Sequence, residues 1–210
     1  MKKCYFLFTL IVLCSCNGKK AKDIVISADT TTAIVEKPEV ASEFVIVPGE
    51  HVGLTKIDQN VIELDSVLGT PDLSDAAMGK AWLTWYSKTN INSGKYELNI
   101  FTTYKDSEMK EKVVKQIRLT SPDFKLIETS LSTGHPKADF IAKYPDLKLV
   151  ATYPNGETNI ETQLYEIKDG GIAFEFESDY CLSIVVFERD DKVTHYYRTF
   201  HPEMKLSSRE

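Results

Sequence analysis

The chain has 210 residues, long enough for one domain or two small ones with a real core. Its composition is ordinary for a soluble protein. The balance of 25 basic against 31 acidic residues, a net charge of −6, argues against a nucleic-acid role, which would want a basic face.

Residues 1–16 carry the three parts of an export signal. Lys2 and Lys3 are basic, and Tyr5 to Leu13 is an apolar run broken only by Thr9. The run is shorter than the about 20 residues of a membrane-spanning helix and suits a signal peptide. Leu13-Cys14-Ser15-Cys16 resembles the bacterial lipobox: a large aliphatic residue, a small residue just before the cleavage point, then Cys. The resemblance implies removal of residues 1–15 and thioether lipidation of Cys16. Cleavage ahead of Cys14 would place bulky Leu13 at the cut. An ordinary secretory signal cleaved nearby is the alternative. Bacterial lipoproteins carry two or three acyl chains by resemblance, and two or more hold a protein stably on a bilayer. Asn17 stands where resembling lipoproteins retained at the inner membrane carry Asp, so the outer membrane is expected. Lys19, Lys20 and Lys22 are unlike the acidic surface-export signal, which favours the periplasmic face.

Cleavage would leave 23 basic and 31 acidic residues, or −8. Cys181 would be the one cysteine left unlipidated, so no intramolecular disulfide forms and stability must come from packing. No remaining cysteine cluster could hold zinc.

Residues 16–44 read as the lipidated Cys and a flexible tether, rich in Lys, Ala, Thr, Ser and Glu. As a coil, residues 17–44 span roughly 30 Å root-mean-square. Ile24-Val25-Ile26 is the exception, either linker or a strand offered to a partner.

The folded part begins near Phe44–Gly49. Ile57, Val61, Leu64 and Leu68 form one apolar stripe, predicting a helix whose start is signalled by Thr55 and Asp58, a capping-box spacing. Gly69 and Pro71 end it. Strands are expected at Ala81–Ser87, Lys95–Tyr104 and Val113–Thr120, the first two joined by an Asn90–Gly94 turn, with a charged loop from Lys105 to Lys112. The second half repeats this order. Phe124–Leu131 reads as a strand. Pro136 suits a first helical position, and the helix buries Phe140, Ile141 and Tyr144 before Pro145 stops it. Strands follow at Lys148–Tyr153, Thr162–Lys168, Gly171–Glu177 and Tyr180–Glu188, with a fifth at Lys192–Phe200. Asp169-Gly170 is a hairpin signal that pairs Ile167 with Ile172 and Tyr165 with Phe174. Glu166, Lys168, Glu175 and Glu177 then share the other face, which is expected to be wet. Asp190-Asp191 as a second turn would set Cys181 opposite Phe200, His195 opposite Val186 and His201 opposite Tyr180.

The expected class is α+β: short helices packed on antiparallel β-meanders. Each half, 45–121 and 122–204, is one helix-plus-meander repeat, followed by a tail, 205–210. A helix ending in Leu68-Gly69-Thr70-Pro71-Asp72, ahead of a meander on a lipidated tether, resembles the small lipoprotein subunit of the outer-membrane β-barrel assembly machinery. Two such units in tandem resemble the β-lactamase-inhibitor-protein fold. Residues 50–120 carry the resemblance well and 124–200 loosely, with Tyr144-Pro145-Asp146 standing where the second half would repeat Gly-x-Pro. The resemblance implies proteins that bind other proteins and catalyse nothing.

Candidate chemistry is sparse. A Cys181 nucleophile with a histidine base is disfavoured, because the turn register sends His201 to the opposite face and apolar neighbours make Cys181 a small buried hydrophobe. His51, His135, His195 and His201 lack metal-ligand spacing. His135 stands out at a helix start, where an anion could bind. Glu175 and Glu177 share a strand face but would be solvated there, with no pocket to tune them. Asp106, Glu108 and Glu111 lack the ligand spacing and glycine of a calcium loop. The aromatics of the first meander are the binding candidates: Trp82, Trp85, Tyr86 and Tyr96. Alternation sends Trp82 and Tyr86 to one face and Trp85 to the other. Either one face displays a large aromatic or both faces are covered. The expectation is a cell-envelope lipoprotein that binds or scaffolds, needs no cofactor or metal, and partners with the membrane through its anchor and with another envelope protein. The alternative is an envelope hydrolase or small-ligand carrier, marked by a polar pocket containing His135 or the glutamates.

Overall fold

The computed structural model describes residues 43–88, 94–156, 158–199 and 201–207. The expected signal, Cys16, the tether up to residue 42, most of the Asn90–Gly94 turn, Phe200 and residues 208–210 lie outside the described residues. In chain order the elements are β1 (Val45–Val47), β2 (His51–Val52), β3 (Thr55–Lys56), α1 (Val61–Leu68), β4 (Leu73–Ala77), β5 (Lys80–Tyr86), β6 (Glu97–Tyr104) and β7 (Lys112–Leu119). Then come β8 (Lys125–Leu126), α2 (Lys137–Lys143), β9 (Leu147–Pro154), β10 (Glu161–Ile167), β11 (Ile172–Glu177), β12 (Tyr180–Phe187), α3 (Thr194–Tyr197) and β13 (Lys205–Leu206).

The architecture is mostly antiparallel sheet with few short helices. A nine-stranded sheet runs in the order β13-β9-β10-β11-β12-β7-β6-β5-β4. β4 to β7 and β9 to β12 are each successive neighbours, and the two runs meet where β7 pairs antiparallel with β12. A small sheet, β3-β2-β1-β8, contains one parallel pair, β1 with β8.

Each face of the large sheet has its own cover. On one face Ile100, Ile117, Phe174, Phe176 and Ile184 pack against Leu64 of α1, Phe140 of α2 and Ile46, Val52 and Leu126 of the small sheet. The Phe140 ring sits 4.7 Å from Phe174 and 5.3 Å from Phe176. On the other face Ala151, Leu164, Ala173, Val185 and Phe187 pack against Val193, Tyr197 and Met204 of the C-terminal segment.

The hairpin register about Asp169-Gly170 is as expected, Ile167 opposite Ile172 and Tyr165 opposite Phe174. Other segments depart from expectation. Helix α1 starts at Val61. Thr55 pairs with Val52 in the small sheet, Asp58 has φ 61°, and the cap is Asn60, whose side chain accepts from the Ile62 N–H at 2.8 Å. Only Lys125–Leu126 of the expected Phe124–Leu131 strand is extended. Ser130 has φ 59° and folds back so that Leu126 N–H donates to Leu131 O. Pro136 precedes α2 as its N-cap, and Ile141 is half exposed while Phe140 carries the burial. The expected fifth strand is a helical turn and loop. Val193 and Tyr197 are buried with His195 exposed between them, the spacing of α3 and not of a strand. Val186 and Tyr180 pair with Ile172 and Glu177 of β11, so the pairings proposed for His195 and His201 across Asp190-Asp191 do not exist; the one proposed for Cys181 falls on Phe200, outside the described residues. The face of Glu166 and Glu175 is covered and not wet: Glu166 is 8% exposed and Glu175 fully buried.

Candidate functional site

The covered second face of the large sheet is unusually polar. Thr84, Asn99, Gln116, Thr162, Glu166, Glu175 and Ser183 are all buried there. Its centre is Glu175 on β11, at the junction of the two strand runs. The Glu175 carboxylate accepts from Arg118 Nε at 2.9 Å, from Ser183 Oγ and from the hydroxyls of Tyr153 and Tyr197. These donors come from β7, β12, β9 and α3, so one side chain ties both strand runs and the C-terminal segment.

Burial by itself pushes the Glu175 carboxyl up. The Arg118 guanidinium and the three hydroxyls outweigh it and hold the group below the usual carboxylate range. Arg118 is correspondingly raised: burial opposes its charge, and Glu175, with Glu97, more than offsets that. Tyr153 and Tyr197 are pushed well up by burial and by the carboxylate they donate to. They remain neutral donors.

Arg118 also looks outward. Its Nη1 donates to Asn99 Oδ1 at 2.9 Å and to Glu97 Oε2 at 3.2 Å, and its side chain is 14% exposed. It forms the floor of a cleft of about 760 Å³. One wall is Trp82, Lys95, Tyr96, Glu97 and Asn99 from β5, β6 and the residues before it. The other is Asn155, Glu177, Tyr180 and His201. Asn155 Nδ2 donates to Glu177 Oε2 at 2.8 Å. The His201 ring lies 4.4 Å from that of Tyr153 and 5.0 Å from that of Tyr197, so it roofs the tyrosines that hold Glu175.

The four aromatic candidates divide. Trp82 and Tyr96 line the cleft. Trp82 also packs edge-on against Tyr197 at 6.2 Å. Trp85 lies on the opposite face against the first core, and its Nε1–H donates to Gly69 O at 3.0 Å. Tyr86 is half-buried; its backbone N–H donates to Asp72 at 2.8 Å and Lys95 lies 5.6 Å from its ring centre. Trp85 is packed against the first core, whereas Trp82 and Tyr96 form a cleft wall and β4 is exposed along its length. Cys16 lies outside the described residues.

His135 is held by local bonds, its Nδ1 lying 3.1 Å from both Ser132 Oγ and Ser132 O. Cys181 is 3% exposed, and burial pushes its thiol well up, which suits a packed thiol more than a nucleophile. Glu177 stands in the cleft, whereas Glu175 lies beneath it. The residues that sequence reasoning passed over are Arg118, Tyr153 and Tyr197. The available signal was an arginine between Ile117 and Leu119 and a glutamate between Phe174 and Phe176, charges set inside apolar strands and in need of each other.

No family model and no curated protein matches the chain. Among solved structures it is similar to a DUF4309 family protein, YjgB, from Bacillus subtilis subsp. subtilis str. 168. The similarity has 12% identity, covers 67% of this chain and 88% of that one, and has a TM-score of 0.39.

Proposed function

We propose that the chain is a lipid-anchored cell-envelope protein that acts as a non-catalytic binding module. The observation that carries the binding reading is the cleft: concave, walled by Trp82 and Tyr96, and floored by an arginine fixed from behind by a buried carboxylate. The polar groups are held rigidly before any ligand arrives, which lowers the cost of binding. Against catalysis, Glu97 and Glu177 each give an oxygen to a neighbouring donor and are partly exposed, unlike the apolar pocket that makes a carboxyl a general acid. The anchor at Cys16 and a periplasmic-facing position on the outer membrane rest on the sequence of residues 1–22. Two tandem helix-plus-meander repeats, 45–121 and 122–204, are supported by element order. α1 precedes β4–β7, α2 precedes β9–β12, and the last strands of the two runs pair antiparallel.

Another envelope protein is the occupant that the scaffolding reading supplies. A small-ligand carrier is the second reading, favoured because the cleft is concave and polar instead of flat and aromatic. One set of experiments tests the scaffolding reading and its non-catalytic character. Wild type and Tyr96→Ala are used to capture partners from solubilised envelopes, and each is incubated with envelope material while products are followed. Loss of a captured protein in Tyr96→Ala supports scaffolding, and product release by wild type sinks the non-catalytic reading. Fatty-acid labelling of wild type and Cys16→Ala tests the anchor, with label and membrane association expected to disappear together.

A further inference from the structure

We propose that the cleft takes a neutral oligosaccharide, an assignment that rests on the small-ligand reading of the same site. Apart from Lys95, which lies 5.6 Å from the Tyr86 ring centre, the charged groups of the cleft are engaged by neighbouring side chains. Arg118 is shared between Glu175 and Glu97, at 2.9 and 3.2 Å, and Glu177 is engaged by Asn155. An anion would find Arg118 already held by Glu175 and Glu97, with Glu177 lining the same cleft. A cation would have to compete with Arg118 for Glu97 at the cleft floor. What the site offers a ligand is hydrogen bonding from groups of both signs set side by side, with no cluster of one sign left to itself. Arg118 Nη2 makes no hydrogen bond to any described residue, and each glutamate gives only one of its oxygens to Arg118 or Asn155.

A sugar hydroxyl donates and accepts at once, so a ring of hydroxyls matches a rigid mixture of guanidinium donors and carboxylate acceptors better than a single charge does. The walls supply the other half of the match. Tyr96 and the 57% exposed Tyr180, in the same lining as Trp82, offer aromatic surface to the C–H face of a pyranose, an apolar body with a polar rim. The cleft volume of about 760 Å³ lies in the upper part of the range of small-molecule sites and holds more than one ring. A peptide laid on as an extra strand is disfavoured, because β6, β7, β11 and β12 are all paired on both sides and present no free edge.

The chain has two tryptophans, and Trp85 lies on the far face. The full chain carrying Trp85→Phe therefore has a single reporter in the cleft wall. It is titrated with a neutral β-linked N-acetylglucosamine tetramer, a neutral α-linked glucose tetramer, tetraglutamate and tetralysine, and Trp82 emission is read. Calorimetry on wild type gives the same binding curves should Trp85→Phe fold poorly. Saturable quenching or a blue shift with a neutral tetramer, weakened at least tenfold by Tyr96→Ala and by Glu177→Ala, is the expected result. A response to either charged peptide with none to the sugars overturns the saccharide assignment and leaves a ligand cleft. No response to any probe by either method overturns the saccharide and ligand readings together and leaves the protein-scaffold reading standing.

Discussion

Glu175 keeps a full charge where no solvent reaches it, because four donors converge on two oxygens. Glu175→Gln removes the charge and leaves Arg118 buried with only Glu97 to answer it. Losing one partner of a buried pair costs about 3–5 kcal/mol, and urea unfolding at pH 7 should show it as a lower midpoint with an unchanged slope. The sign with pH follows from the depressed carboxyl. The unfolded chain takes up this proton near its ordinary value of 4.5, while the folded chain resists it to lower pH. The stabilisation is fully present above pH 4.5 and is lost as pH falls through the native value. Wild type should therefore lose more stability than Glu175→Gln on acidification. Glu166 behaves in the opposite sense. Burial raises it, and the Val193 N–H and Lys192 only partly offset that. Its contribution is present below pH 4.5 and is lost as pH rises through the native value. Glu166→Gln, which can still accept from Val193 N–H, is expected to melt above wild type at pH 7 and level with it at pH 4, read by thermal melts at both values.

At the scale of elements, the hairpin between β10 and β11 docks on the loop between β1 and β2 through one glycine. Gly171 has φ 66°, and its carbonyl accepts from the Gly49 and Phe187 N–H groups, both at 3.1 Å. A Cβ there would lie 2.5 Å from Gly49 Cα and 2.7 Å from Phe187 O. Gly171→Ala should cost roughly 1–3 kcal/mol from conformation alone, with the clash adding to it, and a lowered melting temperature with retained far-ultraviolet dichroism is the check. The long strands β5, β6, β7 and β9–β12 were legible because alternation and turn residues agreed. The segment 192–200 was not. Val193 and Tyr197 satisfy both a two-residue and a four-residue spacing, and only the exposure of His195 decides between them. The small sheet was illegible for another reason: β2, β3 and β8 are two residues each and carry no period. The cleft escaped notice because its floor depends on Arg118 of β7 and Glu175 of β11, 57 positions apart, meeting over the intervening β12. Trp82 and Tyr96 were visible as aromatics, but the wall opposite them comes from the second run of strands.

For the whole molecule, the β7–β12 ladder, the Arg118–Glu175 bond and a core that mixes Ile100 and Ile117 with Phe174 and Ile184 all cross the midpoint of the folded region. The parallel β1–β8 pair crosses it again. Residues 43–121 and 122–207, produced separately, should each lack a cooperative thermal transition, and the intact chain should melt in one. Two cooperative melts from the separate pieces would show that the halves are independent domains.

The β1–β8 pair has a bearing on how the molecule comes into being. The first strand among the described residues has its parallel partner in residues that follow only after the whole first run of strands. Such distant pairings close late and slowly. During synthesis, therefore, one edge of Val45–Val47 pairs at once with β2 while the other waits for Lys125 and Leu126, and the large sheet cannot join its two runs until β12 is complete. The first run can form its own local hairpins early, but the seam that completes the large sheet closes only when nearly all of the folded region has been made.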